Sequence, residues 1–324
     1  MLYPLTFQPI FKERVWGGRE LERLFQKTLP PQQPNGESWE ITDRPEGVSV
    51  IANGPLAGKS LRWLMETHRQ AVLGPSAAGT GPFPLLVKIL DAKETLSVQV
   101  HPPAAVAAKL HGEPKTEMWY IVDATAQAEL YVGLKRGVTR LEFERRLHEG
   151  TVADCLHRIR VLPGDAMFLP SGRLHAIGAG IVLFEIQQNS DTTYRVFDWN
   201  RVGLDGKPRE LHVAASLASI DFSDFEPELI PREYSPAGEW FKLRPLADDP
   251  LFRVEAWQVR PDQQFDLEGG SAQILGLLRG RLAIMHGETR LLLKAGEFCL
   301  LPACLGPVTL TAHAPVEFLR ARPG

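Results

Sequence analysis

The fold is decided by the stretch PGDAMFLPSGRLH at residues 163–175, because a related stretch, AGEFCLLPACLGP, follows at residues 295–307. The two stretches lie 132 residues apart, and a glycine, an acidic residue and a proline keep their places in both: Gly164, Asp165 and Pro170 against Gly296, Glu297 and Pro302. Short apolar runs between such turn residues are typical of β-strands. The chain is therefore predicted to contain two copies of one β unit.

A second alignment, of EMWYIV at residues 117–122 with QILGLL at 273–278, has an offset of 156 residues. The first copy therefore carries 24 more residues than the second, and a helical pattern at residues 141–148 lies among them. Two-copy β repeats of this length suit double-sheet barrels of the jelly-roll type. We expect an all-β fold, a double-stranded β-helix, with two β units and a few helical insertions.

Helical patterning is predicted at five places, at residues 19–27, 60–70, 104–110, 141–148 and 214–218. Acidic residues and prolines concentrate at residues 221–236, which we interpret as the boundary between a catalytic unit, residues 1–225, and a degenerate C-terminal unit, residues 226–324. Part of the segment before Pro55 is expected to pair with the second unit. A further loop is predicted at residues 74–84.

The charge and composition of the chain exclude several classes of function. A net charge of −3 and a pI near 6.3 leave no basic excess to neutralise a nucleic-acid backbone. No apolar run approaches the ~18 residues that a membrane span needs, and the first residues lack a signal-peptide core, which predicts a cytoplasmic protein. Its three cysteines, Cys155, Cys299 and Cys304, are expected to be reduced and buried. A small-molecule partner is favoured, and the oligomeric state is left open.

Gln99 and His101 lie two residues apart in the predicted strand LSVQVHP, so both side chains point to one face of that strand. If Val98 and Val100 occupy the other face, the polar pair projects into the interior of the barrel. The strand therefore offers an amide oxygen and an imidazole side by side.

Glu117 opens the next predicted strand, and His175 ends the repeated stretch. Two imidazoles, a carboxylate and an amide oxygen make a mixed ligand set that suits Zn²⁺, with Mn²⁺, Fe²⁺ and Co²⁺ as chemical alternatives. The second copy has Gln273 in place of Glu117 and Pro307 in place of His175. One metal site per chain, in the first unit, is therefore predicted.

Seven motifs of the chain resemble those of one known family. They are, in chain order, VWGG (15–18), GESWEI (36–41), LSVQVHP (96–102), KTEMWYI (115–121), PGDAMFLPSGRLHAIGAG (163–180), NSDTTYRVFDWNR (189–201) and GKPRELH (206–212). The family is the type I mannose-6-phosphate isomerases, in the short bacterial form built on the cupin fold. The resemblance spans nearly the whole chain, and it implies a zinc-dependent aldose–ketose isomerase that interconverts mannose 6-phosphate and fructose 6-phosphate.

The resemblance also implies roles for single residues. The zinc ligands of the family fall on the four predicted ligands, Gln99, His101, Glu117 and His175. The arginine beside the reacting carbons falls on Arg195, and an active-site glutamate falls on Glu185. Residues that contact phosphate or line the site fall on Ser97, Lys88, Lys115 and Arg201, the last where longer members have a lysine. The chain lacks the large helical domain that longer members carry before the position of His175.

The reaction itself explains why such groups are needed. Moving a carbonyl between C1 and C2 of a sugar requires a proton to leave one carbon and return to its neighbour through an enediol, whose developing oxyanion must be stabilised. A divalent metal ion does so as a Lewis acid. Arg195 is permanently cationic and suits the enediolate better than the role of base. Metal-bound hydroxide, Glu185 and Lys115 all remain candidates for the base.

Three other functions are compatible with parts of this pattern. A metal-containing cupin could bind a sugar phosphate without catalysis, and an isomerase of another phosphorylated sugar would need the same groups. A cupin oxygenase usually holds Fe²⁺ with two histidines and one carboxylate. Gln99 as a fourth protein ligand argues against the oxygenase.

Overall fold

The structure is a computed structural model that describes residues 1–75 and 79–324; within the predicted loop at 74–84, residues 76–78 lie outside the described residues. The strands formed by the first 225 residues are, in chain order, β1 (Ile10–Gly18), β2 (Asn35–Ile41), β3 (Asp43–Arg44), β4 (Gly47–Val48), β5 (Leu85–Ala92), β6 (Val98–Val100), β7 (Glu117–Ala124), β8 (Glu129–Leu134), β9 (Leu156–Arg160), β10 (Ala166–Leu169), β11 (His175–Ile177), β12 (Ile181–Gln188) and β13 (Tyr194–Phe197).

The strands of the remaining residues are β14 (Ser235–Pro236), β15 (Phe241–Asp248), β16 (Phe252–Val259), β17 (Gln263–Leu267), β18 (Gln273–Arg279), β19 (Arg281–His286), β20 (Thr289–Lys294), β21 (Phe298–Leu301), β22 (Val308–Ala312) and β23 (Val316–Pro323). The boundary predicted at residues 221–236 is irregular until β14, at its end.

All five predicted helical segments are confirmed. They are α1 (Glu20–Phe25), α2 (Leu61–Leu73), α3 (Ala104–Ala107), α4 (Arg140–His148) and α5 (Val213–Ser219), with 3-10 turns at Ala108–Leu110, Val152–Cys155 and Ala303–Leu305. The hydroxyl of Ser60 accepts a hydrogen bond from the first turn of α2, and that of Thr139 does so for α4, which fixes where these helices begin. None of the described helices is both long enough and apolar enough to cross a membrane.

The strands form two pairs of antiparallel sheets and the small ribbon β3–β4, which confirms the all-β, double-sheet prediction. The first pair consists of a six-stranded sheet, in the order β1-β2-β5-β12-β7-β10, and a five-stranded sheet, β13-β6-β11-β8-β9. The second pair repeats this order with β14-β15-β16-β23-β18-β21 and β17-β22-β19-β20. Each pair encloses an interior between its sheets.

The repeat extends to the register of the strands. In the first unit Glu117 of β7 lies opposite Leu169 of β10, and in the second Gln273 of β18 lies opposite Leu301 of β21. These pairs are the ones that the two sequence offsets predict. The extra residues of the first copy contain α4, which lies between β8 and β9, whereas a two-residue turn joins β19 to β20.

The interiors of the two barrels differ. The second is filled by apolar side chains, among them Trp257, Leu275, Ile284, Leu310 and Phe318. The first is apolar towards one end, where its core includes Leu90, Leu96, Ile121, Ile177 and Leu183. Farther along β5, β7 and β12, the same faces carry the buried charged residues Lys88, Glu117 and Glu185. The polar end is where the candidate site lies.

A further core lies between the two six-stranded sheets, so both units share it. The ring of Phe184 in β12 lies 4.9 Å from that of Phe298 in β21, and the ring of Phe168 in β10 lies 6.3 Å from that of Phe252 in β16. Burial of such rings contributes on the order of 1.5–3 kcal/mol each. The two units therefore pack against each other through one continuous hydrophobic core.

The first residues of the chain pair with the second unit, as expected. The backbone groups of Leu5 and Leu300 exchange hydrogen bonds of 2.9 and 2.8 Å at the edge of β21. Two residues later, Phe7 pairs with Ile51. The N-terminal segment thus crosses from one barrel to the other.

The three cysteines are free thiols. Cys155 and Cys299 are buried, as expected. The expectation is wrong for Cys304, which is exposed because it lies in the 3-10 turn before β22, at the surface of the second barrel.

Arg244 of β15 is the largest charged side chain that is almost completely buried, with 1% of its surface exposed. Its guanidinium donates hydrogen bonds to the backbone carbonyls of Gly164 (2.6 Å), Ile230 (2.7 Å) and Pro231 (2.7 Å). Gly164 belongs to the repeated turn of the first unit. Arg244 therefore connects the two units through polar contacts beside their shared core.

We expect Arg244→Met to lower the free energy of unfolding by about 3–5 kcal/mol, because it leaves three buried carbonyl groups without donors. Denaturant titration measures the change. Arg253→Met is the matched control, since that guanidinium is exposed and, within the described residues, pairs with the exposed Asp248 alone. Equal stabilities of the two variants would contradict the assigned role of Arg244.

Candidate metal centre and active-site cavity

The five-stranded sheet places three of the predicted side chains in one row. Gln99 of β6 lies opposite Arg195 of β13 on one side and opposite His175 of β11 on the other. Val98 and Val100 point to the outer face of the sheet, where they pack in a separate core. The predicted alternation of the LSVQVHP strand is therefore confirmed.

Glu117 reaches this row from the opposite sheet. Its Oε1 atom lies 3.3 Å from Nε2 of His175 and 3.6 Å from Nε2 of His101. The side-chain amide of Gln99 lies 3.3 Å from the same nitrogen of His175. All three residues of the His101–Glu117–His175 cluster are buried, and their ligand atoms lie within 4.8 Å of one another.

Backbone carbonyls orient both imidazoles. Nδ1 of His101 lies 2.7 Å from the carbonyl oxygen of Thr192, and Nδ1 of His175 lies 2.9 Å from that of Arg173. Because a carbonyl only accepts, each Nδ1 carries the proton, and each Nε2 turns a lone pair towards the centre. Burial lowers the pKa of both histidines, to about 3 for His175, so both rings are neutral.

The centre contains acceptor atoms without donors. Among the described residues, Nε2 of His101 and both carboxylate oxygens of Glu117 have no hydrogen-bond partner. Nζ of Lys115 lies 3.0 Å from one of these oxygens, as an ion pair that is not aligned for a hydrogen bond. Buried acceptors are normally satisfied, so this group fits a bound cation. The residues present can hold a divalent metal ion.

A cavity of about 590 Å³ lies beside the centre. Six of the predicted site residues line it: Lys88, Ser97, Gln99, Lys115, Glu185 and Arg195. The structure therefore brings together residues from β5, β6, β12 and β13 and from the segments that lead into β6 and β7. A cavity of this volume suits a small polar molecule.

Glu185 and Lys88 form a buried pair in the cavity wall. Nζ of Lys88 lies 3.3 Å from Oε1 of Glu185, and the indole of Trp119 donates to Oε2 at 2.9 Å. Burial raises the pKa of the Glu185 carboxyl, and the charge of Glu117 raises it further. Burial alone would lower the pKa of Lys88, but Glu185 and Glu37 raise it above its usual value. Lys88 is thus a cation between carboxylates.

Of the residues predicted to bind substrate or to act in catalysis, Arg201 is the one that the described structure leaves outside the cavity lining. Its guanidinium donates to the carboxylate of Asp198 and to the carbonyl of Thr95. Arg209 lines the cavity in its place. Arg209 belongs to the motif GKPRELH, but that motif alone does not show which of its residues faces the cavity.

The equivalent place in the second barrel holds no such centre. The amide of Gln273, at the position of Glu117, donates to the carbonyl of Glu268 and accepts from Arg320. Within the described chain, the only cluster of histidine, cysteine and carboxylate side chains with metal-ligand spacing is His101, Glu117 and His175. The second barrel therefore serves as a packed β unit.

Comparison with known proteins agrees with these observations. A family model described as "Phosphomannose isomerase type I, catalytic domain" matches residues 5–140. A Bacillus subtilis protein named as a probable mannose-6-phosphate isomerase is 37% identical, over 100% of both chains. The chain belongs to the type I phosphomannose isomerase family. A Streptococcus mutans protein named mannose-6-phosphate isomerase is 35% identical over 93% of each chain.

The fold of a solved member of the phosphomannose isomerase family is the same. The crystal structure of the Bacillus subtilis mannose 6-phosphate isomerase superposes with a TM-score of 0.89 over 99% of both chains, at 32% sequence identity. The cupin-type fold predicted from the motifs is thereby confirmed.

The cavity of this phosphomannose isomerase family member also contains residues that were not predicted. Asp191 lies 3.6 Å from Nζ of Lys88, and Arg14 forms a hydrogen-bonded ion pair of 2.8 Å with Glu37. Burial would raise the pKa of Glu37, but Lys88 and Arg14 lower it to about 2. Arg14 and Glu37 lie within or beside the motifs at residues 15–18 and 36–41, which were the available signal.

Proposed function

We propose that this protein is a metal-dependent aldose–ketose isomerase that interconverts mannose 6-phosphate and fructose 6-phosphate through an enediol intermediate. The observation that carries the proposal is the buried cluster of His101, Glu117 and His175 beside a cavity lined by acids and bases. Among the described residues, Nε2 of His101 and both carboxylate oxygens of Glu117 are acceptors without partners in this cluster. The names of the similar proteins support the same reaction.

The metal centre is assigned to Gln99, His101, Glu117 and His175, which would hold one Zn²⁺ ion per chain. The Gln99 amide lies beside His175 and can turn its oxygen to the centre, since its two ends are interchangeable by a flip. When bound, the metal ion supplies Lewis-acid stabilisation of the developing oxyanion. The apolar end of the barrel limits the access of water to the centre from that side.

Proton transfer is assigned to Glu185, with Lys115 as the second candidate base. Both line the cavity, and the Trp119 indole fixes the Glu185 carboxylate. Oε1 of Glu185 has no aligned hydrogen-bond donor among the described residues, so it is available to a substrate. Arg195, in the row with Gln99 and His175, is placed to stabilise an enediolate.

The substrate would be bound by side chains of the cavity wall. The Ser97 hydroxyl and the Lys88 ammonium contribute, and Arg209 takes the place that was predicted for Arg201. Since Lys88 is already close to Glu185 and Asp191, the guanidinium of Arg209 is the better phosphate ligand.

We assign residues 1–225 to the catalytic unit and residues 226–324 to a degenerate unit that supports it. The free thiols are consistent with a cytoplasmic protein that acts on a small sugar phosphate. The core shared by the two six-stranded sheets supports the view that the second unit stabilises the first.

A coupled assay of mannose 6-phosphate conversion to fructose 6-phosphate, on protein before and after chelation, tests the proposal. We expect chelation to abolish turnover and added Zn²⁺ to restore it. Binding of mannose 6-phosphate without turnover by the zinc-loaded protein would instead indicate a sugar-phosphate sensor. Turnover of a different phosphorylated aldose alone would reassign the substrate, and unchanged activity after complete metal removal would contradict the metal-dependent mechanism.

A further inference from the structure

Asp198, which pairs with Arg201 and Arg209, has no role assigned so far. The carboxylate of Asp198, with 6% of its side chain exposed, lies between two guanidinium groups. Arg209 donates to it through Nε at 2.7 Å and Nη2 at 2.5 Å. Arg201 donates through Nε at 3.0 Å and Nη2 at 2.8 Å. One carboxylate thus orients two arginines.

The two arginines have different surroundings. Arg201 donates its remaining Nη1 to the carbonyl of Thr95 at 2.7 Å, so its guanidinium is bound on all sides. Arg209 lines the cavity, and within the described residues it uses Nε and Nη2, but not Nη1, for hydrogen bonds. Arg201 therefore anchors Asp198 to the barrel, and Asp198 in turn anchors Arg209.

The residues that follow Arg209 hold Arg195 at the same wall of the cavity. Nη1 of Arg195 donates to the carbonyl of Glu210 at 2.8 Å, and His212 pairs with the backbone of Arg195. Nε of Arg195 is buried and has no partner in the described structure. Burial and the charge of Arg209 both lower the pKa of Arg195. Two guanidinium groups with unused donors therefore face one cavity.

The hairpin that carries these groups has a defined shape. Trp199 and Asn200 both adopt a positive φ, of +56° and +57°, which turns the chain directly after Asp198. The Trp199 indole donates to the carbonyl of Leu96, next to Ser97 in the cavity wall. Asp205 also lines the cavity, and its carboxylate accepts the backbone N–H of Lys207 within the same hairpin.

We propose that Asp198 is a positioning residue, which holds Arg209 in the cavity wall so that its guanidinium binds the phosphate group of the substrate, while Arg195 beside it serves the enediolate. The role rests on the proposed function, since that function supplies a phosphorylated substrate. Without Asp198, three arginines would lie close together with no carboxylate between them, and Arg209 would swing towards solvent. The Arg209 guanidinium would then lose the fixed geometry that bidentate phosphate binding needs.

The test is a double-mutant cycle of Asp198→Asn and Arg209→Met on the full-length, metal-loaded protein. Two quantities are measured: the Kd of inorganic phosphate by calorimetry, and KM and kcat for mannose 6-phosphate. We expect Asp198→Asn to raise both the Kd and the KM about tenfold, with kcat within about twofold and metal content unchanged. In the Arg209→Met background, Asp198→Asn should have no further effect. Asp198→Glu should recover part of the phosphate affinity.

Asp248→Asn is the matched control, because this exposed carboxylate pairs with Arg253 on the second unit and should leave all values unchanged. If Asp198→Asn does not fold, Arg201→Met replaces it, with a smaller rise in Kd that also vanishes in the Arg209→Met background. Additive effects of the two substitutions, or a lower kcat with an unchanged phosphate Kd, would overturn the proposal. Phosphate binding is measured without turnover, so its result is separate from a failure of the isomerase assay.

Discussion

His175→Ala is expected to eliminate the bound metal ion and to reduce isomerase turnover by about 10³-fold or more. The imidazole turns its unprotonated Nε2 to within 3.3 Å of Glu117 and of the Gln99 amide, so its removal opens the centre on one side. A metal ion in such a site contributes several kcal/mol of transition-state stabilisation. Each 1.4 kcal/mol corresponds to about tenfold in rate.

Metal content by elemental analysis and kcat by the coupled assay measure the effect. His175→Leu keeps a similar side-chain volume beside Trp119 but offers no ligand atom, and it should show the same loss, which separates ligation from packing. His286→Ala is the matched control, because that ring also bonds a backbone carbonyl but lies in the second barrel. A His175→Ala protein that retains stoichiometric metal would refute the assigned ligand set.

Glu185→Gln is expected to lower kcat by about 10²–10⁴-fold, the usual range for loss of a general acid–base group, while metal content stays unchanged. The amide has nearly the shape of the carboxylate and can still accept the hydrogen bond from Trp119. It cannot take a proton from a sugar carbon. The variant therefore tests the chemistry of the group at constant geometry.

Lys115→Met is measured in parallel, because the Lys115 ammonium also lines the cavity. Removal of the base should abolish the exchange of hydrogen between the substrate carbon and D₂O. The variant that loses this exchange together with kcat therefore identifies the base. Glu129→Gln, a carboxylate of β8 that accepts from Tyr131, provides the control. Retention of kcat and of exchange in Glu185→Gln would exclude this carboxylate as the base.

The candidate metal ligands could be predicted because strand periodicity and the repeat constrain them. Alternation along β6 and the residue that follows it sets Gln99 and His101 on one face, and the matched offsets align Glu117 with Gln273. The β fold and its helical insertions follow from the same local patterns. These features depend on short stretches of sequence.

The arginines at the cavity wall could not be predicted in the same way. Arg201 and Arg209 lie in an irregular hairpin that has no period, and pairing with Asp198 decides which of them reaches the cavity. The Arg14–Glu37 pair depends on β1 and β2 joining the edge of the larger sheet, which is a long-range event. Exposure of Cys304 likewise depends on how the turn before β22 lies on the barrel.

The two barrels share one strand order, but the candidate site lies in the first barrel and the second has an apolar interior. The first barrel keeps Lys88, Glu117 and Glu185 in its interior, an arrangement that is locally frustrated, since burial of charge opposes folding. The second fills the equivalent space with apolar side chains. Through the core that they share, the second barrel adds to the free energy of unfolding of the whole molecule. Substitutions in the second barrel should therefore shift the temperature at which the first barrel loses its activity.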